Sequence, residues 1–222
     1  MYILLTILLL SYLIGSIPTS IIISKLVKGI DIRNYGSGNA GGTNVYRVLG
    51  WKYGILVILL DALKGALAVI FIARIQHGAI PFENATPFDD FTLIQIMAGV
   101  AAVIGHIWTI FAGFRGGKGI ATALGMLVTI ITVDMLVALA VFVLVVLATK
   151  YISLGSILAA VSVPLVLIIR ENIFHVDIQG YGIVLPFTIG LSLLIIYTHR
   201  ANVKRLLSGK ENRISLSGKK SA

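Results

Sequence analysis

Cysteine is absent from this 222-residue chain, and charged side chains are scarce. Without cysteine there is no disulfide, no thiolate metal site and no cysteine nucleophile. Charged residues make up 12% of the sequence and hydrophobic residues 58%, whereas an ordinary globular domain has about 25% charged residues. So few charges cannot give a water-soluble surface to a protein of this size, which excludes a soluble domain, a disordered chain and a fibrous protein. We therefore predict an all-α integral membrane protein.

A basic segment at the start of the chain is also missing. The first 24 residues carry no charge, and no small-residue cleavage site follows them, so we expect a retained first span and not a signal peptide. A bilayer core of about 30 Å takes about 20 apolar residues as a helix. Apolar stretches of about this length predict further spans at 53–73, 91–114, 151–169 and 178–198.

The apolar stretch 119–149 can form one helix or two. One helix would be about 46 Å long, well beyond the bilayer core. It would also place the basic C-terminal segment, residues 200–220, on the other side of the membrane from the basic loop at 25–52. Two helices that break near 132–134 put all of the 18 Lys and Arg residues on the inner side, except Arg74 and Arg170. The positive-inside rule therefore favours seven transmembrane helices, with the N-terminus outside and the C-terminus cytoplasmic.

The domain organisation is predicted to be simple. Residues 1–207 form one membrane domain, and residues 208–222 are basic, rich in Ser and Gly, and predicted to be a disordered cytoplasmic tail. No convincing internal repeat supports an inverted-repeat transporter. The net charge of +9 reflects Lys and Arg kept on the cytoplasmic side, so we do not expect a nucleic-acid partner.

Polar and glycine residues collect in four segments: 34–47, 105–119, 151–156 and 198–205. All four map to the cytoplasmic face of the predicted topology, and the outer loops contain no comparable cluster. This convergence on one face of the membrane is the strongest functional signal in the chain.

The first segment has the features of an anion-binding loop. Its glycines at 36, 38, 41 and 42 permit positive φ and close approach of a ligand, and successive N–H groups of such a loop can form an anion-binding nest. Thr43 or Asn44 could cap a following short helix, whose N-terminal dipole would favour the same anion. Arg47 can reach back with a bidentate guanidinium. The alternative is a flexible cytoplasmic turn.

The second segment places Arg115 and Lys118 among glycines at the start of a helix and resembles a second oxyanion site. The alternative, that both cations are only positive-inside anchors, explains the charge but not the glycines. Neither segment is a nucleotide site. The G-x-G-x-x-G pattern at 36–41 follows no strand, and the P-loop pattern ending at Lys118 lacks its upstream glycine and the following Ser or Thr.

Other polar residues have competing interpretations. Asp61 and Lys64 lie three residues apart on one helix face and are predicted to form a buried ion pair, with orientation of a site residue as the alternative. His106 lies inside the third span, where packing is the main interpretation and ligand binding the second. His199 and Asn202 share a helix face that suits phosphate or hydroxyl recognition, or they mark an interfacial helix end.

Two anion sites imply a phosphate-bearing substrate, or two of them. The sequence offers no metal site, no carboxylate pair for glycoside chemistry and no cofactor motif, so we predict no metal and no cofactor. Electrostatic stabilisation and positioning of a phosphate-bearing reaction is the chemistry that remains. The competing functions are an anion transporter, which would need an outward-facing polar route, and a membrane scaffold, which would not need two cationic glycine loops.

These motifs resemble those of the bacterial membrane acyl-phosphate:glycerol-3-phosphate acyltransferases, the PlsY family, from the first span to about residue 211. The similarity lies in Gly36-Ser-Gly-Asn-x-Gly-x-Thr-Asn-x-x-Arg47, Leu60-Asp-x-x-Lys-Gly65, Gly105-His106 with Phe114-Arg-Gly-Gly-Lys-Gly119, Ser153-Leu-x-Ser156 and His199-Arg-x-Asn202-x-x-Arg-Leu-Leu-x-Gly209. The chain departs from the family pattern in having Gly42 in place of a frequent Ala, Thr109 in place of a frequent Pro, and Arg115 in place of a frequent Lys.

The resemblance implies a seven-span acyltransferase of the bacterial inner (plasma) membrane, with its active site facing the cytoplasm. It implies transfer of a fatty acyl group from acyl phosphate, not from acyl-CoA, to the 1-hydroxyl of sn-glycerol 3-phosphate. Because the donor is already activated, we expect direct transfer and no acyl-serine intermediate on Ser37. The products would be lysophosphatidate and phosphate, in the first step of phospholipid biosynthesis. A soluble phosphate acyltransferase would supply the acyl phosphate, and membrane lipid would surround the chain.

The resemblance also implies roles for particular residues, carried over by motif position. The catalytic residues would be Ser37, Arg47, Lys118, His199 and Asn202. Substrate and phosphate binding would fall to Gly38, Asn39, Gly41, Thr43, Asn44, Arg115, Gly116, Gly117, Ser153 and Arg205. The supporting residues would be Asp61, Lys64 and His106.

Overall fold

The computed structural model describes residues 2–76, 80–85, 90–178 and 181–214, and within these ranges the chain is helical with no strand. Residues 215–222 of the predicted tail lie outside the described residues. In chain order, the α-helices are α1 (Tyr2–Ser16), α2 (Thr19–Lys28), α3 (Gly42–Leu49), α4 (Trp51–Leu67), α5 (Asp90–Ile107), α6 (Ile120–Val128), α7 (Thr132–Thr149), α8 (Ile152–Asn172), α9 (Tyr181–Thr198) and α10 (Arg200–Leu207). The all-helical membrane architecture predicted from the sequence is confirmed.

Membrane-spanning length is reached by five helical segments of the described chain: Tyr2–Lys28, Trp51–Ile75, Asp90–Ala112, Thr132–Thr149 and Ile152–Asn172. The segments Val184–Thr198 and Arg200–Leu207, which meet at 63°, make a sixth if the bent pair is counted as one span. The remaining predicted span corresponds to α6, whose nine residues rise only about 14 Å. The total of seven spans, and the orientation of the termini, therefore stay predictions.

The region 119–149 forms two helices, as the sequence predicted. The break falls at 129–131, a few residues before the predicted position. Two hydroxyls at the break donate hydrogen bonds to carbonyls of the preceding turn. Thr129 Oγ1 donates to Met126 O at 2.5 Å, and Thr132 Oγ1 donates to Val128 O at 2.9 Å. Asp134 lies in the first turn of α7 and is paired with Arg170 at 2.7 Å.

The first membrane segment is interrupted between α1 and α2 at Pro18, which has no N–H to continue the helix. Backbone carbonyls freed at such a break inside a bilayer must find other donors. Lys64 Nζ donates to Ile17 O at 2.7 Å, and the Thr109 hydroxyl donates to Ser16 O. Thr109 and Lys64 therefore satisfy backbone carbonyls freed at the break between α1 and α2.

Helix α6 is short but is held tightly against α4. A methyl group at Gly65 would overlap the backbone of Thr122, and one at Gly125 would overlap the backbone of Ala62. Small residues at a helix contact allow such close approach in membrane proteins. Because α6 begins directly after the second glycine-rich segment, this contact fixes one end of that segment.

The chain divides into two compact units, Met1–Thr132 and Val133–Ala222. The first unit contains both glycine-rich segments. The second contains the polar segments at 151–156 and 198–205, and its helices are joined by the Asp134–Arg170 pair and by Ser192 Oγ, which donates to Ala160 O at 2.6 Å. The single catalytic domain over residues 1–207 stays a prediction.

Candidate active site

The first loop, residues 30–41, is organised around the side chain of Asn44. This side chain is 1% exposed, and its Oδ1 accepts a hydrogen bond from Ser37 N at 2.8 Å. Its Nδ2 donates to Ile32 O at 3.0 Å, to Tyr35 O at 2.9 Å and to Asn39 O at 3.1 Å. The amide of Asn44 is thus directed into its own loop, and its role in phosphate binding stays a prediction.

Ser37 lies between two glycines that the loop requires. Gly36 and Gly38 have φ of 60° and 73°, which confirms the prediction of positive φ at these two positions. At Gly36 a methyl group would also overlap Asn44 Oδ1, so the turn can carry Ser37 only with glycine before it.

Helix α3 begins directly after the first loop, where a short helix was predicted. Its N-cap residue is Gly41, with φ of −145°, and no side chain caps the helix. Thr43 and Asn44 therefore lie inside its first turn, and the predicted side-chain cap was wrong. Gly42 packs against α4, where a methyl group would overlap Ile58. Arg47, half-buried, lies toward the end of the same helix.

Arg33 links the first loop to the second, a role that the sequence did not reveal. Its Nη1 donates to Ala112 O at 2.8 Å, just before the second loop, and its Nη2 lies 2.7 Å from Asp31 Oδ2. The hydrogen bond from the Arg33 side chain lowers the pKa of the Asp31 carboxyl below its ordinary value. Asp31 therefore stays ionised and holds the guanidinium in place.

The second loop, residues 113–119, is attached to the end of α5. Gly116 N donates to Ile107 O and Gly117 N donates to His106 O, both at 3.1 Å. These two N–H groups hold the loop in place, and the phosphate-binding roles of Gly116 and Gly117 stay predictions. Of the two loop cations, Arg115 is exposed and Lys118 is half-buried.

The two loops meet within the first unit. A methyl group at Gly117 would overlap the His106 ring and would come within 2.9 Å of Ala40 O, in the first loop. The structure therefore brings together the segments that carry Ser37 and Lys118, as the convergence of polar segments had led us to expect. The link through Arg33 reinforces this contact.

A buried polar cluster lies beside the loops. Asp61 Oδ1 is 2.6 Å from Lys64 Nζ, so the predicted ion pair is present. The same oxygen accepts from Thr19 Oγ1 at 2.5 Å and lies 3.6 Å from His106 Nδ1. A small cavity that borders this cluster is also lined by Gly116 and Gly117 of the second loop.

In the second unit, three predicted site residues converge on a residue that was not predicted. The Glu211 carboxylate accepts hydrogen bonds from Ser153 Oγ at 3.1 Å, Asn202 Nδ2 at 2.8 Å and Arg205 Nε at 2.7 Å. Glu211 lies in the tail predicted to be disordered, yet it is 6% exposed. A single acid in a basic, Ser/Gly-rich tail gave no pattern from which this role could be inferred.

The charge of Glu211 is set by two opposing effects. Burial alone would raise the pKa of its carboxyl, but the hydrogen bonds from Asn202 and Arg205 outweigh burial and lower the pKa below its ordinary value. At neutral pH the ionised carboxylate therefore orients both side chains.

His199 precedes α10 and is 3% exposed. Its Nδ1 lies 2.9 Å from Ile195 O, and its own carbonyl accepts from Asn202 N at 2.8 Å. A carbonyl can only accept, so Nδ1 carries the proton and a neutral ring has its lone pair on Nε2. The imidazole of His199 and the backbone N–H of Asn202 are thus fixed at the same place, where α9 ends and α10 begins.

Among the described residues, no group of three His, Asp or Glu side chains is placed to hold a metal ion. Three features define the class of protein. They are apolar helices of membrane-spanning length, two joined cationic glycine loops in the first unit, and a hydrogen-bonded Asn–Arg–Glu cluster in the second. The chain is an integral membrane protein that carries polar, glycine-rich loops and buried polar clusters among its apolar helices.

Comparison with known proteins gives the particular family. The sequence profile described as "Glycerol-3-phosphate acyltransferase" matches residues 5–209. The chain belongs to this family, also called PlsY, and is a membrane glycerol-3-phosphate acyltransferase. It is 47% identical to the glycerol-3-phosphate acyltransferase of Chlorobaculum tepidum, over 97% of this chain and 98% of that one. It is 46% identical to that of Chlorobium phaeobacteroides, over 98% and 99%.

Solved structures agree with the sequence relatives. The chain is similar to the crystal structure of PlsY, an integral membrane glycerol 3-phosphate acyltransferase, in its glycerol 3-phosphate form. The TM-score is 0.79 at 39% identity, with 96% of each chain covered. The lysophosphatidic acid form of the same enzyme gives a TM-score of 0.76 at 38% identity, over 96% of this chain and 95% of that one.

Proposed function

We propose that this enzyme transfers a fatty acyl group from acyl phosphate to the 1-hydroxyl of sn-glycerol 3-phosphate, giving lysophosphatidate and phosphate. The observation that carries the proposal is the contact between the two glycine-rich loops, which brings the segment of Ser37 next to the segment of Lys118. The glycerol 3-phosphate and lysophosphatidic acid forms of the PlsY structures match the proposed acceptor and product.

The cations of the first unit suit an acyl phosphate donor. Acyl phosphate is a mixed anhydride, and its phosphate leaves readily once its charge is neutralised. Arg47 and Lys118 supply that neutralisation, and fixed charges act more strongly in a site shielded from water. The acyl tail needs no pocket of its own, because it can lie among the spans or in the lipid.

The acceptor needs positioning more than activation. Ser37, held by the bond from its N–H to Asn44, positions the glycerol hydroxyl for direct attack on the acyl carbon. The carbon–oxygen bond to glycerol forms as the bond to the phosphate oxygen breaks. The hydroxyl proton goes either to an oxygen of a substrate phosphate or to a side-chain base, for which the sequence motif offers His199; Asn202 and Arg205 of the same motif stay predicted site residues.

The same proposal includes the membrane arrangement. The chain crosses the bacterial inner membrane seven times, with α6 as the shortest span and the catalytic loops facing the cytoplasm. This orientation follows from the distribution of Lys and Arg. It also allows a soluble phosphate acyltransferase to deliver acyl phosphate from the cytoplasm.

The test is an assay of the purified enzyme with acyl phosphate and glycerol 3-phosphate, with lysophosphatidate measured by mass spectrometry. We expect product with this pair and none when acyl-CoA or acyl carrier protein replaces acyl phosphate. Robust product from acyl-CoA alone would contradict the proposed donor. An inactive acyl phosphate reaction with a folded enzyme would contradict the proposed function.

A further inference from the structure

The buried cluster beside the loops contains one residue that the fold alone does not explain. Lys64 and Thr19 have structural tasks, because Lys64 Nζ donates to Ile17 O where α1 is interrupted and Thr19 begins α2. Asp61 neutralises Lys64 and accepts from Thr19. The His106 ring makes no hydrogen bond to the Ile17 carbonyl, and burying an apolar side chain in its place would cost less free energy.

His106 lies between the cluster and the second loop. Its Nδ1 is 3.6 Å from Asp61 Oδ1, and its side chain is only 8% exposed. The edge of the ring that carries Nε2 lies so close to Gly117 that a methyl group there would overlap it. Gly117 N also donates to the carbonyl of His106 at 3.1 Å. Both the ring and the backbone of His106 therefore support the same point of the loop.

We propose that His106 is a positioning residue for the second loop. The Asp61 carboxylate, 3.6 Å from Nδ1 and so beyond hydrogen-bond distance, orients the imidazole by electrostatic attraction, and the opposite edge of the ring sets the place of Gly117. Lys118 follows Gly117 directly, so the ring determines where the lysine ammonium meets a substrate phosphate. A side chain restrained by close packing and by a charged neighbour behind it can hold a polar site to the required geometry. The inference rests on the proposed function of Lys118.

A double-mutant cycle tests the contact between ring and loop. Gly117→Ala drives a methyl group into the ring, and His106→Ala removes the ring. We expect each single variant to lower kcat/KM, and the double variant to be about tenfold more active than Gly117→Ala alone, a coupling within the range of contacting residues. The recovery is partial because Ala40 O also approaches this site.

Gly116→Ala is the matched control for this cycle. A methyl group at Gly116 would overlap the backbone oxygen of His106, not the ring. His106→Ala leaves that oxygen in place, so it should not rescue Gly116→Ala. Equal rescue at both glycines, or simple additivity at Gly117, would overturn the proposal.

A readout that needs no catalysis separates this inference from the proposed function. In a chain without cysteine, Lys118→Cys places a single thiol at the loop, and its rate of reaction with a maleimide reports the position of residue 118. We expect His106→Ala to change that rate by about threefold or more, and His106→Asn, which keeps a donor near Asp61, to restore part of the original rate. An unchanged rate in membranes would overturn the proposal, whatever the wild-type activity.

Discussion

Arg47 and Lys118 are the cations that the proposed chemistry depends on most. Replacing either by alanine removes charge that stabilises the departing phosphate, so kcat/KM should fall about 100-fold or more. Steady-state kinetics with acyl phosphate and glycerol 3-phosphate measure the loss. Lys25→Ala, which removes an exposed cation near the end of α2, should stay close to wild type. Near-normal activity in both loop variants would assign the two cations a purely structural role.

Ser37 raises the question of a covalent intermediate, because a hydroxyl in a glycine turn resembles an activated serine. Such a serine needs an adjacent base that is itself oriented by a third group. Only the N–H of Ser37 is fixed here, by Asn44, and the donor is already activated. Intact-mass analysis after incubation with acyl phosphate alone should therefore show no acyl adduct. An adduct on Ser37 that forms and decays at the rate of turnover would refute direct transfer.

Loss of activity in Ser37→Ala does not distinguish these mechanisms, because a positioning hydroxyl predicts it as well. A pH profile distinguishes the two candidate proton acceptors, His199 and a substrate phosphate. If Nε2 of His199 takes the proton, kcat/KM should fall as the imidazole is protonated at acidic pH. His199→Asn should remove that part of the pH profile. A profile that is the same in both proteins would assign the proton to a substrate phosphate.

At the scale of elements, the first loop depends on one buried amide. Asn44→Asp keeps an acceptor for Ser37 N but loses the donor to the carbonyls of Ile32 and Tyr35. Each orphaned buried carbonyl costs about 1–3 kcal/mol, so the thermal midpoint and kcat/KM should both fall. Asn34→Asp makes the same change at an exposed position of this loop and should alter neither. An Asn44→Asp protein with full activity would contradict the organising role.

The beginning of α8 and helix α10 depend on the charge of Glu211. Because its pKa is lowered in the folded state, the ionised carboxylate stabilises the fold above the ordinary pKa of Glu, and this is lost as the pH falls through the lowered value. Thermal melts between about pH 3 and pH 6 should show a steep loss of stability in wild type and a shallower one in Glu211→Gln. Glu83→Gln, at an exposed position, is the control. Identical pH curves for wild type and Glu211→Gln would contradict this assignment.

The sequence predicted features that depend on local pattern. Apolar length predicted the helices, and glycine with charge predicted the two loops. What it missed depends on partners distant along the chain: Arg33 bonds to Ala112, and Ser153 shares Glu211 with Asn202. The direction of a side chain was equally hidden. Asn44 lies in a motif typical of anion binding, but its buried amide is directed inward, where it donates to the carbonyls of the loop.

For the whole molecule, the decisive question is whether α6 crosses the membrane. Nine helical residues cover less than half of a core of about 30 Å, so the length argues against a full crossing. The charge pattern argues for it, because without this crossing the basic tail would face away from the basic loop at 25–52. A short helix can complete a span if the non-helical residues at its ends are buried in protein. Helix α6 is packed closely against α4, at Gly65 and Gly125, which favours such burial. We therefore expect α6 to cross the membrane despite its short length.

Single cysteines can test this in a chain that has none. Lys28→Cys and Ser208→Cys should both react with a membrane-impermeant maleimide from the cytoplasmic side, and Glu83→Cys and Phe174→Cys from the outside. All four positions are exposed in the structure, so reactivity reports the side of the membrane. If α6 does not cross, the side of every later position is reversed, and Ser208→Cys would react from the side opposite to Lys28→Cys. That single result would reduce the number of spans to six.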